Sequence, residues 1–219
     1  MRGKDLAQHK VPKLVLGAAG MIFGHSIAIG PILPIDIPSL FRWADDADAA
    51  RLNDTYRPPN WHREEAFWLN ADNDASRMLF AIRTKPGLET IGYVQIMAIQ
   101  PIHRSAEIGI RIGEPSHRRN GYGGEALALA IDYCWKQLNL SRLSLKVFDH
   151  NADAVALYRR LGFEREGLLR QALFIDGGWT DLVLMALLRD DRQADRGIRR
   201  QAPFDNAVSV VGSGQPHSA

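Results

Sequence analysis

Ser105-Ala-Glu-Ile-Gly-Ile-Arg-Ile112 leads through Gly113-Glu-Pro-Ser-His117 into Arg118-Arg-Asn-Gly-Tyr-Gly-Gly124, and Glu125-Ala-Leu-Ala-Leu-Ala-Ile131 follows. The first eight residues put Ala106, Ile108, Ile110 and Ile112 on one face of a strand. From Gly121 to Leu138, residues Leu127, Ala130, Ile131, Cys134, Trp135 and Leu138 share one broad apolar face, which predicts a helix. Glycines at 121, 123 and 124 free the intervening backbone to turn its N–H groups outward and let a ligand come close. The helix N-terminus adds partial positive charge, and Arg118 and Arg119 add whole charges, so the loop suits a pyrophosphate. The same glycines also suit a plain tight turn, and the loop alone does not choose. It lacks the Gly-Lys-Ser/Thr ending of a Walker-type phosphate loop, and it follows a meander where a dinucleotide fingerprint would follow an early parallel strand.

Upstream, Arg77 to Thr84 and Thr90 to Ile99 read as strands, and turn-type segments at Lys85-Pro-Gly87 and Gln100-Pro-Ile-His103 join them and the strand at 105–112 into an antiparallel meander. Before them come a short strand at Ser26 to Gly30, a helix with Asp36 at its N-cap and Ile37, Leu40, Phe41 and Ala44 on one face, and a second short helix starting near Trp61. Downstream, Leu143 to Phe148 reads as a strand, Asn151 caps a helix, and Gly162 ends it. Strands at Ala172 to Ile175 and Leu182 to Leu188 flank the hairpin signal Asp176-Gly-Gly-Trp179. This order predicts an α+β (mixed α/β) domain over residues 22–188, with a mixed, mostly antiparallel twisted sheet and helices on both faces.

The chain has 219 residues, 46% of them apolar and 24% charged, which excludes disorder throughout. Residues 1–21 read as an N-terminal extension. Residues 189–219 read as a tail, charged and then small and polar, without packed structure. The net charge of +2 sits in these ends, while the middle is slightly acidic, so no basic stripe for nucleic acid is expected. No apolar run approaches the length of a membrane span, and no secretory leader is expected. The lone Cys134 excludes an internal disulfide and points to a reducing compartment, the cytoplasm. The seven histidines are scattered, so no metal is implied.

A second segment, Asn151-Ala-Asp-Ala-Val-Ala-Leu-Tyr158-Arg-Arg-Leu-Gly-Phe163, lies about thirty residues beyond the glycine loop. Together the two resemble the GNAT superfamily of acyl-CoA-dependent N-acyltransferases. Arg118 to Gly123 fits its Gln/Arg-x-x-Gly-x-Gly/Ala pyrophosphate loop, and Asn151 to Phe163 fits its Asn-x-x-Ala-x-x-x-Tyr-x-x-x-Gly-Phe segment. His103 to Gly109 and Phe174 to Asp181 are similar to segments of the branch holding the ribosomal-protein N-terminal and spermidine acetyltransferases. The resemblance implies acetyl-CoA as co-substrate and direct attack by a primary amine in a ternary complex. The acceptor it suggests is a protein N-terminus or a small molecule such as a polyamine, and the chain is expected to be a monomer or homodimer. An amino-sugar acceptor, or an acyl-CoA-binding module without turnover, stands as the alternative.

Such a transfer needs a neutral amine, a stabilised oxyanion and a proton for the departing thiolate. The resemblance makes Tyr158 the proton donor; spacing alone, with Val155 three before and Leu161 three after, favours an aromatic on the apolar face of its helix. It also implies that the strand at 105–112 splays from its neighbour and offers main-chain contacts at Ile110 and Ile112, with Arg118, Arg119, Asn120, Gly121, Tyr122, Gly123, Gly124 and Asn151 on the co-substrate. Glu107 is the first choice of base, against a reading as an exposed carboxylate or a partner for Arg111. Some relatives carry a glutamate where this chain has Lys146. For the acceptor, Trp43, Asp46, Tyr56 and Trp61, with Phe174 and Trp179 of the hairpin, supply aromatic walls and carboxylates suited to a cationic amine. Solvated carboxylates beside core tryptophans explain them equally. Cys134 reads as a small buried helix residue.

Overall fold

The computed structural model describes residues 20–50, 56–70 and 74–190. Its sheet has eight strands: β1 (Ile22–Phe23), β2 (Ile27–Pro31), β3 (Met78–Thr84), β4 (Thr90–Gln100), β5 (Ser105–Ile112), β6 (Arg142–Phe148), β7 (Glu164–Ile175) and β8 (Gly178–Leu188). They lie in the order β1-β2-β3-β4-β5-β6-β8-β7, and every neighbouring pair is antiparallel except β5 and β6. The expected mixed, mostly antiparallel sheet is thus present, with boundaries within a residue or two for β2 to β6, while β8 starts four residues earlier than expected. β7 starts eight residues earlier than its apolar pattern suggests, because it is the sheet edge and much of its length is exposed on both faces. With no dry face there is no two-residue period to read.

The described residues also hold five α-helices, α1 (Ile37–Ala44), α2 (Ala47–Ala50), α3 (Trp61–Leu69), α4 (Tyr122–Lys136) and α5 (Ala152–Arg160), with short 3-10 turns at Pro34–Asp36 and Pro115–His117. Alternation along the strands sorts the core. Phe80 and Ile82 of β3 and Val94 and Ile96 of β4 join Leu127, Ala130, Ile131 and Cys134 of α4 in the main core. Leu79 faces the other way and joins Ile37, Leu40, Trp43 and Trp68 beneath α1 and α3. One face of the sheet therefore carries α4 and α5, and the other carries α1 and α3.

Asp36 does not cap α1 with its side chain, contrary to expectation. Its carboxylate is buried, accepting from Arg83 Nη2 at 2.6 Å, Thr90 Oγ1 at 2.5 Å and the Leu33 amide at 2.7 Å. A buried charge demands such partners, and they outbid a helix end. The result fastens the start of α1 to β3 and β4. The N-terminal extension up to residue 19, and the tail from residue 191, lie outside the described residues.

Candidate active site

The parallel pair is where the sheet opens. β5 and β6 register only at Ser105↔Arg142, Ala106↔Leu143 and Glu107↔Ser144; beyond that point β6 pairs with β8 alone. The Gly113 amide donates to the Ile91 carbonyl, so in the β4–β5 ladder the odd residues 107, 109 and 111 face β4. Ile110 and Ile112 therefore turn their N–H and C=O groups sideways into the fork, where no strand meets them. The expected splay is present, and it falls at those two residues.

α4 begins at the open end of this fork. Gly121, its N-cap, has φ +83, and no side chain caps the helix. The first intrahelical bond comes from the Glu125 amide to the Gly121 carbonyl, which leaves the amides of Gly121, Tyr122, Gly123 and Gly124 without helical partners. Arg119, at φ +62, is a second left-handed residue two positions before Gly121. The conformational need for glycine rests on Gly121. At Gly123 an added Cβ would meet Leu157, Ile110 and Ile112 at 3.7–3.8 Å, ordinary contact. Gly123 is thus not required by the fold.

The loop's side chains are already engaged. Arg118 donates to the Ile112 and Gly113 carbonyls at 3.1 and 3.0 Å, tying the loop to the end of β5. Its whole charge, expected on a pyrophosphate, is directed at main-chain oxygens. Arg119 pairs with Asp153 at 3.1 Å in the open, and Asn120 donates to the Ser116 carbonyl. Tyr122 lies against His117.

Asn151 caps α5, accepting from the Ala154 amide at 3.2 Å, at the end of β6 where the fork is widest. Leu157 packs on Gly124, holding α5 beside α4. Tyr158 follows, 7% exposed, its ring edge-on to Phe163 at 5.7 Å. Burial pushes its pKa up to about 12. Gly162, at φ +93, ends the helix, with the Phe163 amide bonded back to the Tyr158 carbonyl. The segment's spacing thus records a helix with both ends fixed. Cys134 is buried in the main core, and desolvation pushes its pKa to about 12 as well.

On the α1–α3 face, Glu107 sits at the last registered pair before the strands part, with Lys146 Nζ 3.0 Å from its carboxylate. It is not Arg111's partner; Arg111 donates to the Trp43 carbonyl and reaches Tyr93. Trp43 is 3% exposed, its indole lying where a Cβ at Gly113 would be. It is a core residue, which corrects its placement on an acceptor wall. Trp61 is half-open and packs on Phe41 at 5.1 Å, and Tyr56 donates to Asp45 at 2.9 Å. Asp46, half-buried, lies in the same turn after α1. Phe174 and Trp179 form an edge-on pair at 5.3 Å, 53% and 62% exposed, at the β7–β8 hairpin. The hairpin tip extends past the Phe148↔Leu182 pair, at the sheet end where the fork opens. Asp181 of that hairpin accepts from the Gln171 amide, latching a bulge in β7. The packing of Leu157 and the engagement of Arg118 are absent from the sequence reading; both depend on how distant segments meet. Among the described residues no three His, Cys, Asp or Glu side chains gather in a metal-holding group, and no helix is long and apolar enough to cross a membrane.

A family model described as an acetyltransferase (GNAT) domain matches residues 27–164. The spermidine N(1)-acetyltransferase of Escherichia coli K12 is 30% identical over 179 residues, covering 78% of this chain and 90% of that enzyme. The [ribosomal protein uS5]-alanine N-acetyltransferase of the same organism is 28% identical, covering 68% and 87%. The crystal structure of Vibrio cholerae spermidine N-acetyltransferase in complex with CoA and spermine superposes with a TM-score of 0.71 at 26% identity, covering 76% of this chain and 98% of that one. With the fork, the glycine loop and the Asn151–Phe163 helix all in place, the chain belongs to the GNAT superfamily of acetyl-CoA-dependent N-acetyltransferases.

Proposed function

We propose that the β5–β6 fork takes the arm of acetyl-CoA, that the amides of residues 119–124 take its diphosphate, and that a primary amine of the polyamine class attacks from the α1–α3 face. One observation carries this reading: past Glu107 the backbone of Ile110 and Ile112 has no strand partner on the β6 side, and this gap opens beside an uncapped helix N-terminus. Acetyl-CoA supplies an activated thioester carbonyl. The Ile110 N–H donates to its oxygen as charge grows there. The Asn151 amide group and the Ile112 backbone hold the arm, Arg118 steadies the loop, and Arg119 adds positive charge at its rim.

Tyr158 gives its hydroxyl proton to the departing sulfur, and the proton shed by the attacking nitrogen as the amide forms restores it. A phenol pushed up to about 12 is fully protonated at neutral pH, the state a donor needs. Glu107 receives the incoming ammonium and passes its proton to water. An aliphatic amine of pKa near 10 must lose a proton before it attacks, so the acceptor's own titration sets the rate.

A polyamine acceptor is supported by the names of the spermidine-acetylating relatives, by the exposed faces of Tyr56, bonded to Asp45, and of Trp61, and by the exposed Phe174 and Trp179 of the hairpin. The lone, unreactive Cys134 fits work in the cytoplasm. Thiol release from acetyl-CoA, measured with spermidine, an alanine-initiated peptide and an amino sugar, tests the reading. Spermidine is expected to turn over best. Turnover of the peptide alone contradicts the polyamine assignment, and no release with any class points to a binding module.

A further inference from the structure

α4 opens with Tyr122-Gly-Gly124, a poor start for a helix, since the two glycines inside it cost about 1 kcal/mol each relative to alanine. An acidic side chain in a first turn ordinarily sits beside the free amides and satisfies the helix dipole. Glu125 does neither. Its Oε1 crosses to the turn before β2, accepting from the Ser26 amide at 2.9 Å and the Ile27 amide at 3.4 Å. That turn is firm: the Gly24 amide bonds to the Ile27 carbonyl at 2.8 Å, and Lys85 Nζ donates to the Gly24 and His25 carbonyls at 2.8 and 3.2 Å. Gly24 leaves the carboxylate its space, since a Cβ there would overlap Oε1.

We infer that Glu125 is a positioning residue for the co-substrate: it pins the glycine-rich first turn of α4 to β2 and keeps its own charge off the amides that receive the diphosphate. The inference rests on the assignment of the diphosphate to residues 119–124. Because Glu125 touches no reacting atom, its loss acts on the affinity for acetyl-CoA and leaves the acceptor's KM alone.

The test pairs two substitutions. Glu125→Ala removes the tie. Gly24→Ala displaces the carboxylate, the free end of a flexible side chain, at little cost to the fold. Calorimetric titration with acetyl-CoA is expected to show Kd raised roughly threefold to tenfold in each, the span of one or two lost hydrogen bonds. Acceptor KM stays unchanged, and the double variant is no worse than Glu125→Ala alone, because Gly24→Ala then has nothing to displace. Glu125→Gln, which keeps an oxygen for the Ser26 amide, recovers most of the affinity. Unchanged Kd in folded Glu125→Ala overturns the inference, as do effects of the two substitutions that add. If the wild-type enzyme binds acetyl-CoA but titration or mapping places the diphosphate away from residues 119–124, the site assignment itself fails, and the Glu125 variants are not its cause.

Discussion

On the α4–α5 face of the fork the site is made of main chain: the backbone of Ile110 and Ile112, the amides from residue 119 to Gly124, and a helix cap at Asn151. On the α1–α3 face and the hairpin it is made of side chains: Glu107 with Lys146, Tyr56 with Asp45, Trp61 on Phe41, Phe174 on Trp179. Main-chain sites demand glycine, asparagine and fixed spacing, because only certain residues permit the required backbone. Side-chain sites on a surface tolerate many solutions. In the proposed function the first kind holds the thioester carrier, and the second, more open, selects what is acetylated.

The largest effect is expected where the two halves meet. Tyr158→Phe should lower kcat by roughly 10²–10⁴-fold, the range of a positioned acid, with Kd for acetyl-CoA unchanged by calorimetry. An unaltered kcat removes Tyr158 from the chemistry and leaves it a core aromatic. Next comes Trp43, the aromatic that left the acceptor half for the core. Trp43→Ala is expected to lower stability by about 3–5 kcal/mol in denaturant titration, with acceptor KM of the remaining folded enzyme little changed. A raised acceptor KM with stability intact would return Trp43 to the site.

The donor half was the more legible half. Gly121 and Gly162 stood out because each sits at positive φ, at +83 and +93, and Asn151 because it caps. The splay was implied only by resemblance, since Glu107-Ile-Gly-Ile-Arg-Ile112 alternates like any strand; its cause is a divergence of β6 that no residue of β5 records. Arg118 read as an anion ligand because charge beside glycines suggests one, yet the Ile112 and Gly113 carbonyls were nearer. In the acceptor half, Trp43 and Trp61 look alike in sequence. Only the fit of the Trp43 indole against Gly113 separates core from surface. Asp36 misled for a related reason: its partners Arg83 and Thr90 lie about fifty residues away.

Smaller effects sharpen the contrast. Gly121→Ala places a Cβ in the left-handed region at a cost of about 1–2 kcal/mol, expected as a several-fold rise in Kd for acetyl-CoA. Trp179→Ala should leave stability unchanged and raise acceptor KM by roughly twofold to fivefold, the worth of one exposed cation–π contact. The pH profile distinguishes the halves as well. The acceptor must shed its proton, so kcat/KM is expected to climb between pH 7 and 9. Tyr158, held protonated to about 12, should impose no fall below pH 10. Above pH 10 the unfolded chain's tyrosine ionises first, so stability declines from there towards pH 12. A Tyr158-dependent loss of activity near pH 8 would contradict its burial.

The most direct measurement is amide chemical-shift mapping of the labelled enzyme on addition of acetyl-CoA. The account predicts the largest shifts at residues 119–124 together with Ile110 and Ile112. Shifts that leave those amides unmoved while saturating elsewhere on the molecule would contradict it.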